Sequence, residues 1–195
     1  MKRLDRELVR DASIVSVNSI GGEISEILGL RYNSPFVGCS MDRNDFVALC
    51  ESLEDYMSFF NCTIANVLTG SCKTYMMNGV LKTMTIYWPF AVSRKRAEDS
   101  FIRRAKRINY DKLVLILDDR GLSEDSLARF DRIKCFRKIC LTSSPEYAEK
   151  YACCHYLKEY SGKPHVGKYQ DMGPDSLYRF ENTWDYVSFL NGQYA

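Results

Sequence analysis

The amino-acid sequence predicts an α/β fold: a mixed, mostly parallel central sheet with helices on both faces and a β-hairpin insertion. Three observations predict this class. Short β-prone runs alternate with amphipathic helical patterns over most of the 195 residues. The run 112–118 (KLVLILD) is apolar on both faces, as in a central parallel strand. The dipeptide Asn78-Gly79 lies between β-prone runs, which is a strong hairpin signal.

The chain opens with a predicted strand over 13–17 (SIVSV) and a turn over 18–22 (NSIGG). A helix with apolar residues on one face follows, and Gly29 is expected to end it. A longer helix then carries apolar side chains at helical spacing, with Asn44 or Asp45 as its cap.

The remaining elements follow from similar signals, such as a serine before a helix or a proline after a strand. In order, we expect a hairpin strand near 81–88, a basic helix over 93–109, a strand over 112–118, a helix capped by Ser123, a strand over 137–142, a helix begun by Ser144-Pro145, a loop over 161–175 and a last helix near 184–190.

Composition and length predict one domain over 1–195, with a loop and a C-terminal helix in 161–195. The formal charge of +2, from 27 basic and 25 acidic residues, argues against a nucleic-acid partner. No run approaches the ~18 apolar residues of a membrane span, and the charged N-terminus lacks a signal-peptide pattern, so we expect a cytoplasmic protein. The eight cysteines have no C-x-x-C pair and no zinc spacing, which predicts packed, reduced thiols.

Two stretches of the chain share their motifs with a known family. The first, 17–35, contains Asn18, Gly21-Gly22 and Tyr32-x-Ser34-Pro35. The second, 103–118, contains the run 104–110 (RAKRINY) before the central strand. In this order and spacing, over about 15–145, the chain resembles a bacterial domain family of unknown function. That family occurs in proteins attributed to exopolysaccharide and capsule biosynthesis.

The chain departs from this family at three positions. Many relatives have cysteine where Ile20 stands, a His-Tyr pair near Phe90, and tryptophan where Phe101 stands. If the cysteine and the histidine are catalytic in the family, this member is inactive or uses different chemistry. The alternative is that the cysteine and the histidine are not catalytic in the relatives.

The turn after the first strand is the first candidate site. Its glycines could let backbone N–H groups face a ligand at a helix N-terminus, where anions bind favourably. Asn18, Ser19, Gly21 and Gly22 are therefore candidate substrate-binding residues for a phosphate or acyl oxygen. The structural alternative is a tight turn that requires positive φ. Without a full G-x-G-x-x-G, a dinucleotide site is not supported.

Asp118 and Asp119, at the carboxyl end of the central strand, are the candidate catalytic residues. Ligands of open α/β sheets gather at that edge, where a carboxylate could act as a base or hold a metal beside a diphosphate. Neighbouring strand residues point to opposite faces, so the two acids cannot share one ion unless the turn bends them. Turn and helix-cap roles are the structural alternative.

The basic helix supplies the other candidates. Arg104 and Arg107 could help to bind a phosphate, although a solvated helix face is the common role of such residues. The family motifs add Ser34 and Asn109 to the substrate-binding set, with Asn109 alternatively orienting the helix end.

The sequence features predict an anion-binding cleft, and the family resemblance implies surface-polysaccharide biosynthesis. Together they lead us to expect a transferase acting on a sugar or nucleotide-sugar. Acyl and glycosyl transfer are equally open, and the sequence identifies no cofactor, metal ligand or oligomeric state. The alternative is a non-catalytic binding or scaffold protein. An enzyme should expose Asp118 or Asp119 beside Asn18, whereas a binding module should engage both acids in caps and ion pairs.

Overall fold

The computed structural model describes residues 3–58, 71–77, 80–88, 93–166 and 184–193. Its elements, in chain order, are β1 (Ser13–Ser16), α1 (Ile20–Ile27), β2 (Ser40–Met41), α2 (Arg43–Glu51), α3 (Leu53–Ser58), β3 (Ser71–Met77), β4 (Val80–Tyr87), α4 (Arg94–Ala105), β5 (Leu113–Asp118), α5 (Glu124–Arg132), β6 (Arg137–Thr142), α6 (Pro145–Lys150), β7 (Cys154–Tyr156) and α7 (Tyr186–Leu190). Short 3-10 turns lie at Tyr110–Lys112 and Lys158–Tyr160.

The predicted fold class is confirmed. The main sheet has the order β1-β5-β6-β7, and each neighbouring pair is parallel. Because all four strands run in one direction, their carboxyl ends meet at a single edge. The functional candidates that follow β1 and β5 are therefore brought to the same side of the molecule.

Side chains of the main sheet alternate between two hydrophobic layers, as the pleat of a β-sheet requires. Val15, Leu115 and Leu117 pack with residues of α2, α4 and α5 on one face. Ile14 and Ile116 pack on the other face with residues of α1 and α7. Both faces of the sheet are therefore covered by helices, which explains why β5 is apolar at consecutive positions.

A second, antiparallel sheet has the order β2-β4-β3. β3 and β4 pair from Ser71↔Ile86 to Met77↔Val80, so the predicted hairpin is present, although Asn78-Gly79 itself lies outside the described residues. The Met41 amide donates to the Val17 carbonyl at 3.0 Å, which links this sheet to the end of β1.

Several element boundaries differ from the predicted ones. The cap of α2 is Asp42, whose carboxylate accepts from the Asn44 and Asp45 amides, and not Asn44 or Asp45. Ser52 has non-helical φ and ψ of −138° and 35°, which divides the predicted long helix into α2 and α3. β7 was not predicted, because its three residues are half-buried and too few to form a strand pattern.

The predicted loop over 161–175 is described only as far as Val166, where it contains no helix or strand. Across the parts of the chain that the structure describes, no helix combines the length and apolarity that crossing a bilayer requires.

Candidate functional site

Asn18 and Asp118 meet at the carboxyl edge of the main sheet. The side-chain amide of Asn18 donates through Nδ2 to Asp118 Oδ2 at 3.1 Å. Arg43, at the start of α2, donates to both oxygens of the same carboxylate, through Nε at 2.8 Å and Nη2 at 2.7 Å. The Arg120 amide adds a fourth donor at 3.1 Å. Asp118 is thus a fully engaged partner in a bidentate ion pair.

Burial makes this ion pair a structural element. The side chains of Arg43 and Asp118 are only 14% and 7% exposed. A charge at such a position is tolerated only if it is paired and hydrogen-bonded. The sequence offered no signal for Arg43, which comes to Asp118 from a position 75 residues away in the chain.

Asp119 points away from Asp118, toward β6 and the segment that follows β7. Its Oδ2 accepts from Thr142 Oγ1 at 2.8 Å and from the Ser143 amide and hydroxyl at 2.7 and 3.1 Å. Its Oδ1 accepts from the Val166 amide at 2.7 Å. The carboxylate therefore clamps three segments together. The two acids do not share a ligand position, and within the described residues no cluster of three or more metal-ligating side chains occurs.

The first backbone amides of α1 donate to acceptors within the chain itself. The helix begins at Ile20, so Gly21 and Gly22 lie inside its first turn and not in a turn with positive φ. The Ile20 amide donates to Asn18 Oδ1 and the Gly21 amide donates to Ser16 Oγ, both at 3.0 Å. The Gly22 amide donates to the Ser19 carbonyl at 3.0 Å. These amides are not directed at a ligand.

The two glycines instead allow close packing. A Cβ on Gly21 would lie 2.7 Å from Ser16 Oγ and 2.9 Å from Ile14 Cγ2, which are on β1. A Cβ on Gly22 would lie 2.9 Å from Val37 Cγ1. The Gly-Gly motif thus brings α1 against both β1 and the loop before β2.

Ser34 and Asn109 have local structural roles. The buried Ser34 hydroxyl accepts from the Phe36 amide at 3.3 Å. The Asn109 side chain caps the following 3-10 turn, because its Oδ1 accepts from the Asp111 amide at 3.1 Å. The backbone N–H of Asn109 donates to Ser13 Oγ at 2.8 Å. This placement agrees with the interpretation that Asn109 orients the helix end.

A pocket of about 310 Å³ lies between α4 and the loop before β2. Its walls combine aromatic, basic and hydroxyl side chains, and they are Tyr32, Pro35, Val37, Gly38, Trp88, Arg96, Ala97, Ser100, Phe101 and Arg104. Trp88 and Phe101 form its buried floor, with ring centroids 5.8 Å apart in an edge-to-face contact.

Arg104 is the polar centre of this pocket. Its Cζ atom lies 5.1 Å from the centroid of the Tyr32 ring, and Nη1 donates weakly to the Val37 carbonyl at 3.4 Å. Arg107, one turn further on, donates to the Tyr32 carbonyl. The two family motifs therefore meet in space. Tyr32 and Pro35 are motif residues that line the pocket and that the sequence alone did not assign to a site.

Arg104 is partly desolvated at the pocket wall. Burial lowers the pKa of its half-buried guanidinium, as it lowers that of Arg107, which does not line the pocket. Where the structure describes the chain, no carboxylate lies within ion-pair distance of Arg104, in contrast to Arg43 and Arg129. An unpaired, partly desolvated guanidinium at a pocket wall favours binding of an anion.

The described thiols and histidines form no group of three or more metal-ligating side chains. Cys39, Cys50, Cys140 and Cys153 are buried and unbridged. Burial lowers the pKa of the half-buried His155. Cys62 and the position near Phe90 where relatives carry histidine lie outside the described residues.

Comparison with known proteins gives a family without an assigned reaction. A family model described as "Domain of unknown function (DUF1919)" matches residues 1–191, which extends well beyond the motifs in about 15–145. The chain is also 25% identical over 192 residues to a protein of Haemophilus influenzae described as an uncharacterized protein. That match covers 97% of this chain and 89% of the relative.

Proposed function

We propose that this chain, which belongs to the family of the domain of unknown function DUF1919, binds a sugar phosphate or nucleotide-sugar in the pocket around Arg104. The proposed context is surface-polysaccharide synthesis, and it rests on the resemblance of the two motifs. Both motifs contribute to the pocket, through Tyr32 and Arg104.

The observation that carries the proposal is the guanidinium of Arg104, which has no carboxylate partner among the described residues. A cation that is partly removed from water and has no carboxylate partner is unfavourable. A phosphate can accept two parallel hydrogen bonds from it and restore the lost solvation. Arg96, exposed on the pocket wall, adds a second positive charge to the same anion.

The pocket also suits the sugar portion. Its volume, about 310 Å³, is at the lower end of the range for small-molecule sites, which fits a monosaccharide with one phosphate. The Tyr32 ring and the Ser100 hydroxyl provide an apolar surface and a hydrogen-bonding group for a hydroxylated ring.

A non-catalytic binding function is the form of this proposal that the geometry favours, because Asp118 and Asp119 are both engaged. An acid held by four donors, as Asp118 is, has no lone pair directed at a substrate. The second candidate is an acyl or glycosyl transferase with these acids as base or metal ligand. The convergence of Asn18 and Asp118 at the carboxyl edge of a parallel sheet favours it.

A thermal-shift screen tests the binding proposal. The purified protein is heated with nucleotide-sugars, hexose phosphates, free sugars and coenzyme A thioesters, with and without Mg²⁺ or Mn²⁺. A ligand at 100 times its dissociation constant should stabilise the protein by ~2.7 kcal/mol. We expect a shift with a phosphorylated sugar that Arg104→Ala abolishes and Arg103→Ala, an exposed neighbour, retains. A shift with thioesters alone would contradict the proposal.

Mass spectrometry then separates the two candidates. The binding protein should return the ligand unchanged in the presence of acceptor sugars. A transferase should produce a new glycoside or ester, and Asp118→Asn should abolish that product at a temperature at which the variant is still folded.

A further inference from the structure

Helix α4 has an exposed stripe that is distinct from its pocket-lining face. Its members are Lys95, Arg96, Asp99, Ile102, Arg103 and the helix-ending Lys106. Neighbours in this set are mostly three or four residues apart, so they lie on one side of the helix. Only Arg96 of these residues also lines the pocket.

Positive charge is concentrated on this stripe. The stripe contains four basic residues and one acid, Asp99, so its net charge is +3. The whole chain carries a net charge of only +2. Glu98, the other acid of α4, is half-buried. Among the described residues, none of the four bases forms an ion pair, so their charges face solvent.

An apolar side chain interrupts the basic stripe. Ile102 is 43% exposed and is one of three large apolar residues that the described part of the chain leaves exposed. A nucleic-acid backbone would attract the charges but gains little from isoleucine. A bilayer interface accommodates both, because lysine and arginine pair with lipid phosphates while an apolar side chain enters the acyl boundary.

We infer that the α4 stripe docks this protein onto an anionic membrane surface. Each basic side chain adds electrostatic attraction to anionic headgroups, and salt screens that attraction. Docking through α4 would place the Arg104 pocket beside the bilayer, within reach of a membrane-anchored phosphate. The docking itself does not require that the pocket bind a sugar.

Vesicle sedimentation of the full chain tests this inference. The vesicles are phosphatidylcholine alone or phosphatidylcholine mixed with phosphatidylglycerol. We expect binding to the mixed vesicles only, weakened by salt. Lys95→Glu/Lys106→Glu should weaken it by at least ~10-fold. The matched control, Lys158→Glu/Lys163→Glu, makes the same change of charge at exposed sites near Leu157 and Tyr160, which pack on the other face of the sheet.

Three further results are informative. Ile102→Ser should weaken binding yet leave its salt dependence. Equal binding to neutral vesicles, an equal loss in both charge-reversed variants, or stronger retention by a short DNA or RNA duplex would each overturn the inference. Arg104→Ala should keep vesicle binding while losing the pocket ligand, so a failure of docking is distinguishable from a failure of the pocket proposal.

Discussion

The guanidinium of Arg104 lies over the ring of Tyr32, with its Cζ atom 5.1 Å from the ring centroid. Each residue belongs to one of the two motifs that define the family resemblance. Arg107 strengthens the same junction by donating to the Tyr32 carbonyl. Gly22 packs α1 against Val37, on the neighbouring part of the loop. The two motifs thus meet at one pocket wall, through Tyr32 and Arg104.

Gly21→Ala should destabilise the protein. In an open helix the change would stabilise by roughly 0.5–1 kcal/mol. Here the new Cβ would meet Ser16 Oγ and Ile14 Cγ2 at 2.7 and 2.9 Å, and overpacking of this kind costs about 1–3 kcal/mol. Urea unfolding measures the difference. Glu26→Ala, exposed on the same helix, is the control, and a gain in stability for Gly21→Ala would refute the packing role.

Asp118→Asn should lower the free energy of unfolding by ~3–5 kcal/mol, because it leaves the Arg43 guanidinium buried without a counter-charge. Arg43→Met combined with Asp118→Asn should cost less than the two single changes added together. A double-mutant cycle in urea measures this coupling, which we expect at about 1–3 kcal/mol. A catalytic role without a structural one would leave the stability of Asp118→Asn near that of the parent protein.

Asp119→Asn should release the segment that contains Val166. The amide group of asparagine cannot accept at both ends. Its oxygen should stay with the three donors of Thr142 and Ser143, which leaves its nitrogen against the Val166 amide. Hydrogen exchange should show faster exchange at Val166 while the amides of β5 stay protected. Asp125→Asn, which removes one negative charge at a side chain that is 82% exposed, is the control for a general effect of charge. Unchanged exchange at Val166 would contradict the clamp.

Stability should fall as pH rises above about 9. The hydrogen bond to Cys154, together with burial, raises the pKa of the Cys153 thiol, and the hydrogen bond to Cys140 raises that of Cys154. Above its ordinary pKa, near 9, each thiol ionises in the unfolded chain but not in the folded one. The unfolded state then binds fewer protons, so each thiol lowers stability by about 1.4 kcal/mol per pH unit.

Urea unfolding between about pH 8 and pH 11 measures the decline of stability with pH, because this range includes the ordinary thiol pKa. Cys154→Ala should give a shallower decline than the parent protein, since one raised pKa is removed and that of Cys153 is relaxed. Identical slopes in the two proteins would show that other groups cause the decline.

The fold was largely predictable because local signals agreed with the final packing. The run in β5 is apolar at neighbouring positions, since helices cover both faces of the sheet. Ser123 and Ser144 cap the helices they precede, by accepting from the Ser126 and Tyr147 amides. β7 was missed because its three residues are half-buried and carry no alternating pattern.

The site was less predictable, because it depends on partners that are distant in the chain. The sequence placed Asn18 and Asp118 at one edge, and the structure brings them to 3.1 Å. It could not show that Arg43 would occupy both oxygens of that carboxylate, or that Ser16 would fill the N-terminus of α1. Whether the two acids take part in catalysis remains a prediction.

The most direct test of the central claim is an isothermal titration of the protein with inorganic phosphate, a hexose 1-phosphate and a uridine diphosphate hexose. We expect a phosphorylated sugar to bind, Arg104→Ala to weaken its binding by roughly 10- to 100-fold through the loss of charge-assisted hydrogen bonds, and Arg103→Ala to leave the affinity unchanged. Equal affinity in the Arg104→Ala variant, or no binding of any of the three probes, would contradict the proposed binding site.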